Sequence, residues 1–283
     1  DDHEMKISHV IRGEDHISNT PKQLHIYRSL GIKTPLFAHL PMILGEDKKK
    51  LSKRHGAESV ESYRYSGFQS VPLVNYLALL GWNPGDNREI IDLQELISKF
   101  DVRKVQKKSA VFDPKKFSWI SSHYLQKEEA QSIFTKIRSF DSDWGASSKD
   151  TFCLRVIELM KPRADSIQEI MLKSHYFFKR PKIFNVDDQN KVWKDNTEKV
   201  LKKIIQNLKN IESVKSQNLE SMIKNYIETC GFSFGEVLKP MRLALCGSLT
   251  GPVLFDLIEL IGIEESIFRL NHFIIECKDK HEK

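Results

Sequence analysis

Over the second half of the chain, apolar residues return at intervals of three and four, the spacing of helices with one buried face. Val200, Leu201, Ile204, Ile205 and Leu208 form one such stripe, and Met222, Ile223, Tyr226 and Ile227 form the next, closed by Gly231. Leu254, Phe255, Leu257, Ile258 and Ile261 follow between Pro252 and Gly262, and Ile267, Leu270, Phe273 and Ile274 make a last helix. Ser166 with Glu169, and Ser233 with Glu236, have the spacing at which a hydroxyl and a carboxylate cap a helix start reciprocally. Asp150 opens a helix that runs to Met160 and stops at Pro162. The same pattern reaches back to a short helix over 58–64, ended by Gly67, and a longer one opened by Pro72 with Val74, Leu77 and Ala78 on one face. Asp92 with Glu95 caps Leu93, Leu96, Ile97 and Phe100; Asp113-Pro114 caps Phe117, Trp119 and Ile120. The polar stretch 140–150 reads as a loop, and 180–195 as a second candidate boundary.

The first 57 residues follow a different rule. Met5 to Arg12 is rich in β-branched residues and reads as a strand, broken by Gly13-Glu14-Asp15-His16. A helix follows, with Thr20 placed to cap it, Pro21 at its first position, Gln23 completing a capping box and Gly31 past its end. Leu36 to Leu44 is a second apolar run, made irregular by Pro41, which cannot donate to a ladder. Strand, helix and strand make a βαβ half-unit, in which ligands gather at the carboxyl ends of the strands. Arg12, Glu14, Asp15 and His16 lie there. So does the loop after the second strand, where Lys48, Lys49, Lys50, Lys53 and Arg54 fall between Gly45 and Gly56. The fold class is therefore mostly α, with a short α/β remnant. The expected domains are 1–57, 58–130 and an all-helical 131–283, with a possible subdivision near 180–195.

Composition narrows the partners. A formal charge of +6 hints at a polyanion. Cys153, Cys230, Cys246 and Cys277 are far apart and without a CxxC pair, so neither a zinc module nor a disulfide framework is expected, and a reducing compartment is. No apolar run reaches the ~18 residues of a membrane span. The start, Asp1-Asp2-His3-Glu4, has no signal-peptide character and lacks an initiator methionine, so the chain is expected to begin inside a larger protein.

Each candidate has a plain structural reading beside the functional one. The lysine-rich loop cannot bury its cations unpaired and suits either solvent or a triphosphate. Arg12 can grip a carboxylate or phosphate with two prongs, or pair with Glu14 or Asp15 inside the turn. His39 can face a nucleotide or be a satisfied, half-buried histidine. Arg103-Lys104-Val105-Gln106-Lys107-Lys108 can track a phosphate backbone or be a solvated face. The last third offers no metal cluster and no nucleophile–base arrangement.

Taken in order, Val10-Ile11-Arg12-Gly13-Glu14-Asp15-His16, Asn19-Thr20-Pro21-Lys22-Gln23, Phe37-Ala38-His39-Leu40-Pro41 and Lys50-Leu51-Ser52-Lys53-Arg54-His55-Gly56-Ala57 resemble the bacterial glutamyl-tRNA synthetases of class I. Asn75-Tyr76-Leu77-Ala78-Leu79-Leu80-Gly81-Trp82, Phe112-Asp113-Pro114-Lys115-Lys116 and Ala244-Leu245-Cys246-Gly247-Ser248 extend the resemblance along the chain. It implies a ligase that attaches L-glutamate to tRNA(Glu) with ATP, through glutamyl-adenylate. The partners implied are tRNA, ATP with Mg2+, and glutamate, in a cytoplasmic monomer. Lys50, Ser52, Lys53 and Arg54 match the KMSKS-type ATP loop, with Lys50 and Lys53 as the catalytic charges. Arg12, Asp15 and His16 match the glutamate pocket. Arg163, Arg242, Gly251 and Leu254 fall near positions that contact anticodon bases. Gly251 stands where some relatives have threonine, and so removes a side-chain hydrogen bond.

One departure matters. Enzymes of this type carry a HIGH-type motif that holds ATP on the first half of the nucleotide fold, and these 283 residues contain none. The polypeptide alone is therefore expected to bind tRNA without forming the adenylate. A non-catalytic tRNA-binding module is the alternative.

Overall fold

A computed structural model describes residues 1–51 and 59–281 of the chain. It is mostly α-helical and divides into two compact units, 1–121 and 122–283.

In the first unit, strands β1 (His9–Gly13) and β2 (Leu36–Leu40) run parallel, with His9 opposite Leu36 and Arg12 opposite His39. A 3-10 turn (Glu14–Asn19) and helix α1 (Thr20–Ser29) cross between them. β1 is shorter than its β-branched run suggests, because residues 1–7 close a turn in which the Met5 N–H donates to Asp1 O at 2.8 Å. β2 stops at Leu40, directly before Pro41 removes the next ladder donor. Thr20 is not the cap of α1: it is the first helical residue, and its hydroxyl donates back to His16 O at 3.2 Å. One face of the sheet carries half-buried Val10, Arg12, Phe37 and His39; the other leaves Ile11 51%, Leu36 65% and Leu40 36% exposed.

Helices α2 (Val60–Tyr65), α3 (Ser70–Gly81), α4 (Leu93–Lys99) and the start of α5 (Pro114–Lys127) complete this unit. Its aromatic core joins Tyr63, Phe68, Tyr76, Phe112 and Phe117, with ring centroids 4.9–5.7 Å apart. Tyr76 fastens α3 to the start of α5: its hydroxyl accepts from the Asp113 N–H at 2.6 Å and donates to Asp113 O at 3.0 Å. Burial pushes this phenol up to about 12. Buried Asn75 pins the 83–91 loop in the same way, donating to Glu89 O and accepting from the Ile91 N–H. Asp92 caps α4 as its sequence suggests, but Glu95 turns to Arg88 and Lys99 instead of the cap.

The second unit is a single helical core running from Leu125 to Cys277. Its helices are α6 (Ala130–Phe140), α7 (Asp150–Met160), α8 (Ile167–Lys173), α9 (His175–Phe178) and α10 (Val186–Val192). α11 (Thr197–Lys209), α12 (Ser216–Cys230), α13 (Phe234–Cys246), α14 (Leu254–Ile261) and α15 (Ile263–His281) follow. The Ser233–Glu236 capping box forms in full. The 141–149 stretch is a loop, as its polarity suggests, but its centre is buried. Trp144 is 7% exposed and donates to Ser174 Oγ at 3.1 Å, and a Cβ on Gly145 would lie 2.6 Å from Cys153 Sγ. Phe184 and Val192 pack in the same core as residues on either side of 180–195. Among the described residues, no helix is long and apolar enough to cross a membrane.

Candidate functional site

Two regions gather the residues singled out in the sequence, one in each unit. The first lies at the carboxyl ends of β1 and β2. β1 carries Arg12 out of the sheet, and its guanidinium is aimed by neutral groups. Nη2 donates to Gln23 Oε1 at 2.7 Å, to Thr20 Oγ1 at 2.9 Å and to His16 O at 3.5 Å, while Nε points to His39 Nε2 at 3.4 Å. The Phe37 ring lies beneath it, 5.2 Å to the centroid. Neither Glu14 nor Asp15 pairs with Arg12. Glu14 Oε1 accepts from the Met42 N–H at 3.0 Å, and Asp15 Oδ2 accepts from Lys50 Nζ at 2.8 Å. The hydrogen bond from Lys50, with its charge, holds the Asp15 carboxyl below its ordinary value. Thr20 and Gln23, which have capping-box spacing, thus use their side chains to orient Arg12. His39 is half-buried, with Thr20 Oγ1 at 3.1 Å from Nε2. His16 is exposed, its ring near Asn19 Nδ2 at 3.4 Å.

The lysine-rich loop begins as a tight turn. Leu44 bridges to Lys50, the Gly45 N–H donates to Lys49 O at 2.8 Å, and Lys48 takes φ 59°. Leu44 also bridges to Val111, which ties the stem of the loop to the rest of the unit. Lys50 is therefore delivered to the strand ends on ordered backbone. Ser52, Lys53 and Arg54 lie outside the described residues.

A planar cation fixed only by neutral acceptors keeps its net charge for a ligand, and a carboxylate meets a guanidinium with matching geometry. Asp15 and Lys50 add one anion and one cation beside it, an arrangement suited to a zwitterion or an anion, not to a hydrocarbon.

The second region is a cleft of 690 Å³ in the helical unit, lined in part by Arg163, Lys173, His175, Tyr176, Thr250 and Gly251. Arg163 ends a 3-10 turn after α7 and is exposed, with its own carbonyl held by Lys173 Nζ at 2.9 Å. Tyr176 is 3% exposed and its phenol is pushed up by burial. Arg242 lies behind this wall: its Nη1 donates to Pro252 O at 2.6 Å and so straps the turn that carries Gly251. A Cβ on Gly251 would lie 3.1 Å from both Arg242 Nη1 and Cys246 Sγ. A side chain there would press on the strap, so more than a lost hydrogen bond is at stake. Leu254 is 2% exposed at the start of α14, so its side chain belongs to the core and cannot reach a base.

Sequence reasoning missed the groups that hold the cleft together. Arg269, 4% exposed, donates from Nη1 to Tyr176 O at 2.8 Å and Leu245 O at 2.7 Å, and from Nε to Glu265 at 2.8 Å. Tyr176 and Leu245 lie in the last turns of α9 and α13, where helix carbonyls lack intrahelical partners. A signal was available: Ser266, Arg269, Leu270, Phe273 and Ile274 share the helical spacing of a buried face, which places Arg269 inside. In the first unit's basic patch, Arg103 is neutralised by Asp101 at 2.7 Å, while Lys104, Lys107 and Lys108 are exposed.

Comparison with known proteins agrees with this division. Residues 1–119 match the catalytic domain of class I tRNA synthetases (E and Q), and residues 124–274 match an anticodon binding domain. A glutamate–tRNA ligase of Caldicellulosiruptor saccharolyticus is 36% identical over 95% of this chain, and one of Thermodesulfovibrio yellowstonii is 38% identical over 97%. The chain spans 57% and 60% of those two relatives. The crystal structure of a glutamate tRNA ligase from Elizabethkingia meningosepticum, in complex with its amino acid, superposes with a TM-score of 0.78 at 33% identity, over 97% of this chain and 58% of that one. With both units matched in order by one kind of enzyme, the chain belongs to the glutamate–tRNA ligase family of class I tRNA synthetases.

Proposed function

We infer that this chain supplies half of the nucleotide site and the anticodon reader of an enzyme that joins L-glutamate to tRNA(Glu). The observation that carries the reading is Arg12, a guanidinium aimed by neutral partners at the ends of two parallel strands. It takes a carboxylate of glutamate. Lys50 and Lys53 offset the charge on the ATP phosphates while the α-carboxylate attacks the α-phosphorus, giving glutamyl-adenylate and releasing pyrophosphate. This is positioning and electrostatic stabilisation, with no general base required. Mg2+ arrives with ATP as part of that substrate. Asp15 and His16 border the glutamate pocket, and Ser52 and Arg54 the ATP loop. Arg163 and Gly251 line the anticodon-nucleotide cleft, while Arg242 positions its wall. The setting is cytoplasmic, and the chain acts as a monomer.

The 283 residues by themselves bind tRNA but do not form the adenylate. Support comes from the open face of the sheet, where Ile11, Leu36 and Leu40 lie exposed although parallel sheets are ordinarily covered on both faces. ATP–pyrophosphate exchange tests this. The chain alone is expected to be silent, and a polypeptide extended to the length of the relatives is expected to exchange in a glutamate-dependent way. Exchange by the chain alone at the rate of the extended form would overturn the requirement. The same open face also fits a non-catalytic tRNA-binding module; failure of the extended polypeptide to charge tRNA would favour that second reading.

A further inference from the structure

Just beyond the cleft, the chain leaves α9 through Lys179-Arg180-Pro181-Lys182-Ile183 before Phe184 turns back into the core. This segment is fixed along its length. The Lys179 N–H donates to His175 O at 2.9 Å, and Pro181 abuts Gly247, where an added Cβ would lie 3.1 Å from Pro181 Cβ. Phe184 packs against Phe273 with centroids 4.9 Å apart. Arg180 is held in a plane: its Nε donates to both Glu265 oxygens at 2.9 and 3.0 Å, and its Nη2 to one of them at 2.7 Å. Its guanidinium carbon lies 3.9 Å above the centroid of the Phe268 ring. One guanidinium face is therefore covered, yet the side chain remains 51% exposed.

Beside this plate, Ile183 is 88% exposed, a large apolar side chain given to solvent on an anchored segment. Lys179 and Lys182 precede it on the same segment, exposed and without an ion pair among the described residues. A flat cation, an apolar side chain and two ammonium groups without an ion pair among the described residues, carried on one anchored segment, match a single-stranded nucleic acid, whose bases stack on planar groups while lysines meet the phosphates. A duplex hides its base faces and fits such a surface poorly. The segment is also continuous with the cleft, since His175 and Tyr176 precede it and Ser248 follows Gly247.

We propose that residues 179–183 form a second RNA-binding surface beside the cleft, in which Arg180 and Ile183 stack against one unpaired base and Lys179 and Lys182 hold the flanking phosphates. It rests on the reading of the cleft as an anticodon-nucleotide site. Glu265 joins the two, because it holds Arg180 on one side and Arg269 on the other, and Arg269 in turn holds the carbonyls of Leu245 and of Tyr176, which lines the cleft.

The test measures affinity of the full 283-residue chain for a synthetic tRNA(Glu) anticodon stem-loop, and for a blunt duplex of the same stem, across a salt series. For the K179A/K182A double variant, the slope of log affinity against log salt is expected to become shallower by about 1.4, at about 0.7 for each single-strand phosphate that no longer meets a lysine. Between about 50 and 200 mM salt, the wild type should then weaken roughly sevenfold more than the variant. Ile183→Ser should weaken stem-loop binding about threefold or more with the slope unchanged. Duplex binding should respond to neither change. Arg163→Ala reports the cleft separately, and all four altered positions are exposed, so matching circular dichroism spectra and melting curves are expected. If Arg163→Ala weakens binding while the double variant keeps the wild-type slope and affinity, the second surface is overturned and the cleft reading stands. If Arg163→Ala also has no effect, both fall. An equal response with the duplex would overturn the assignment to single-stranded RNA.

Discussion

Replacing Arg269 by methionine removes a cation of similar length from a site that is 4% exposed. Three bonds go with it: those to Tyr176 O and Leu245 O, and the Nε bond to Glu265. The two carbonyls lie in helix ends that have no other intrahelical use for them, so the loss leaves them buried and unsatisfied, at about 1–3 kcal/mol each. Glu265 keeps Arg180 and so escapes complete isolation. Removing one partner of a buried charge network costs about 3–5 kcal/mol, which agrees with the carbonyl figure. For a unit of this size the melting temperature should fall by about 6–20 °C. Hydrogen exchange of the slowest amides of α13 and α15 reads the change in this unit separately from the other. Arg269→Lys should recover part of the loss, because an ammonium can reach one carbonyl but cannot span two carbonyls and a carboxylate. A methionine variant whose slow amides exchange within about 1 kcal/mol of the wild type, the ordinary range of a single hydrogen bond, would refute the strap.

Gly251→Thr should destabilise the helical unit by about 1–3 kcal/mol through overpacking against Arg242 and Cys246, and weaken stem-loop binding, as chemical denaturation and anisotropy would show. In a polypeptide extended to the length of its relatives, Arg12→Lys should lower glutamate affinity about tenfold to hundredfold, since an ammonium cannot keep the fork held by Thr20 and Gln23. Tyr76→Phe should cost about 1–3 kcal/mol in unfolding of the first unit, because the Asp113 N–H loses its acceptor. Glu265 should contribute to acid sensitivity of the helical unit. Burial pushes its carboxyl up, but Arg180 and Arg269 outweigh burial and hold it below its ordinary 4.5. Its contribution is thus full above that value and is lost as pH falls through the lower folded value. An acid titration of stability should be flatter in Glu265→Gln.

Much of the fold is written in local chemistry. The stripes of α11, α12, α14 and α15 bury the face their spacing predicts, and Ser233 with Glu236 caps α13 as the motif requires. Local signals mislead where a side chain has a distant use. Thr20 and Gln23 have capping spacing but orient Arg12, a partner from another element that spacing along one helix cannot show. Trp144 sits in a polar stretch yet is buried, because its N–H finds Ser174 across the unit. At the candidate sites, the gathering of Arg12, Asp15 and Lys50 at the strand ends followed from the βαβ pattern. The roles of Arg242 and Leu254 did not, since a strap and a core residue differ from a base-binding residue only in what lies next to them.

The bare face of the two-stranded sheet has a practical side. Among the described residues, β1 and β2 pair only with each other, so each keeps an open edge beside exposed Ile11, Leu36 and Leu40. Open strand edges next to apolar side chains template association between copies. Self-association in concentrated samples should therefore begin at residues 9–13 and 36–40, and a lysine in place of Leu36 or Ile11 should raise solubility without touching either candidate site.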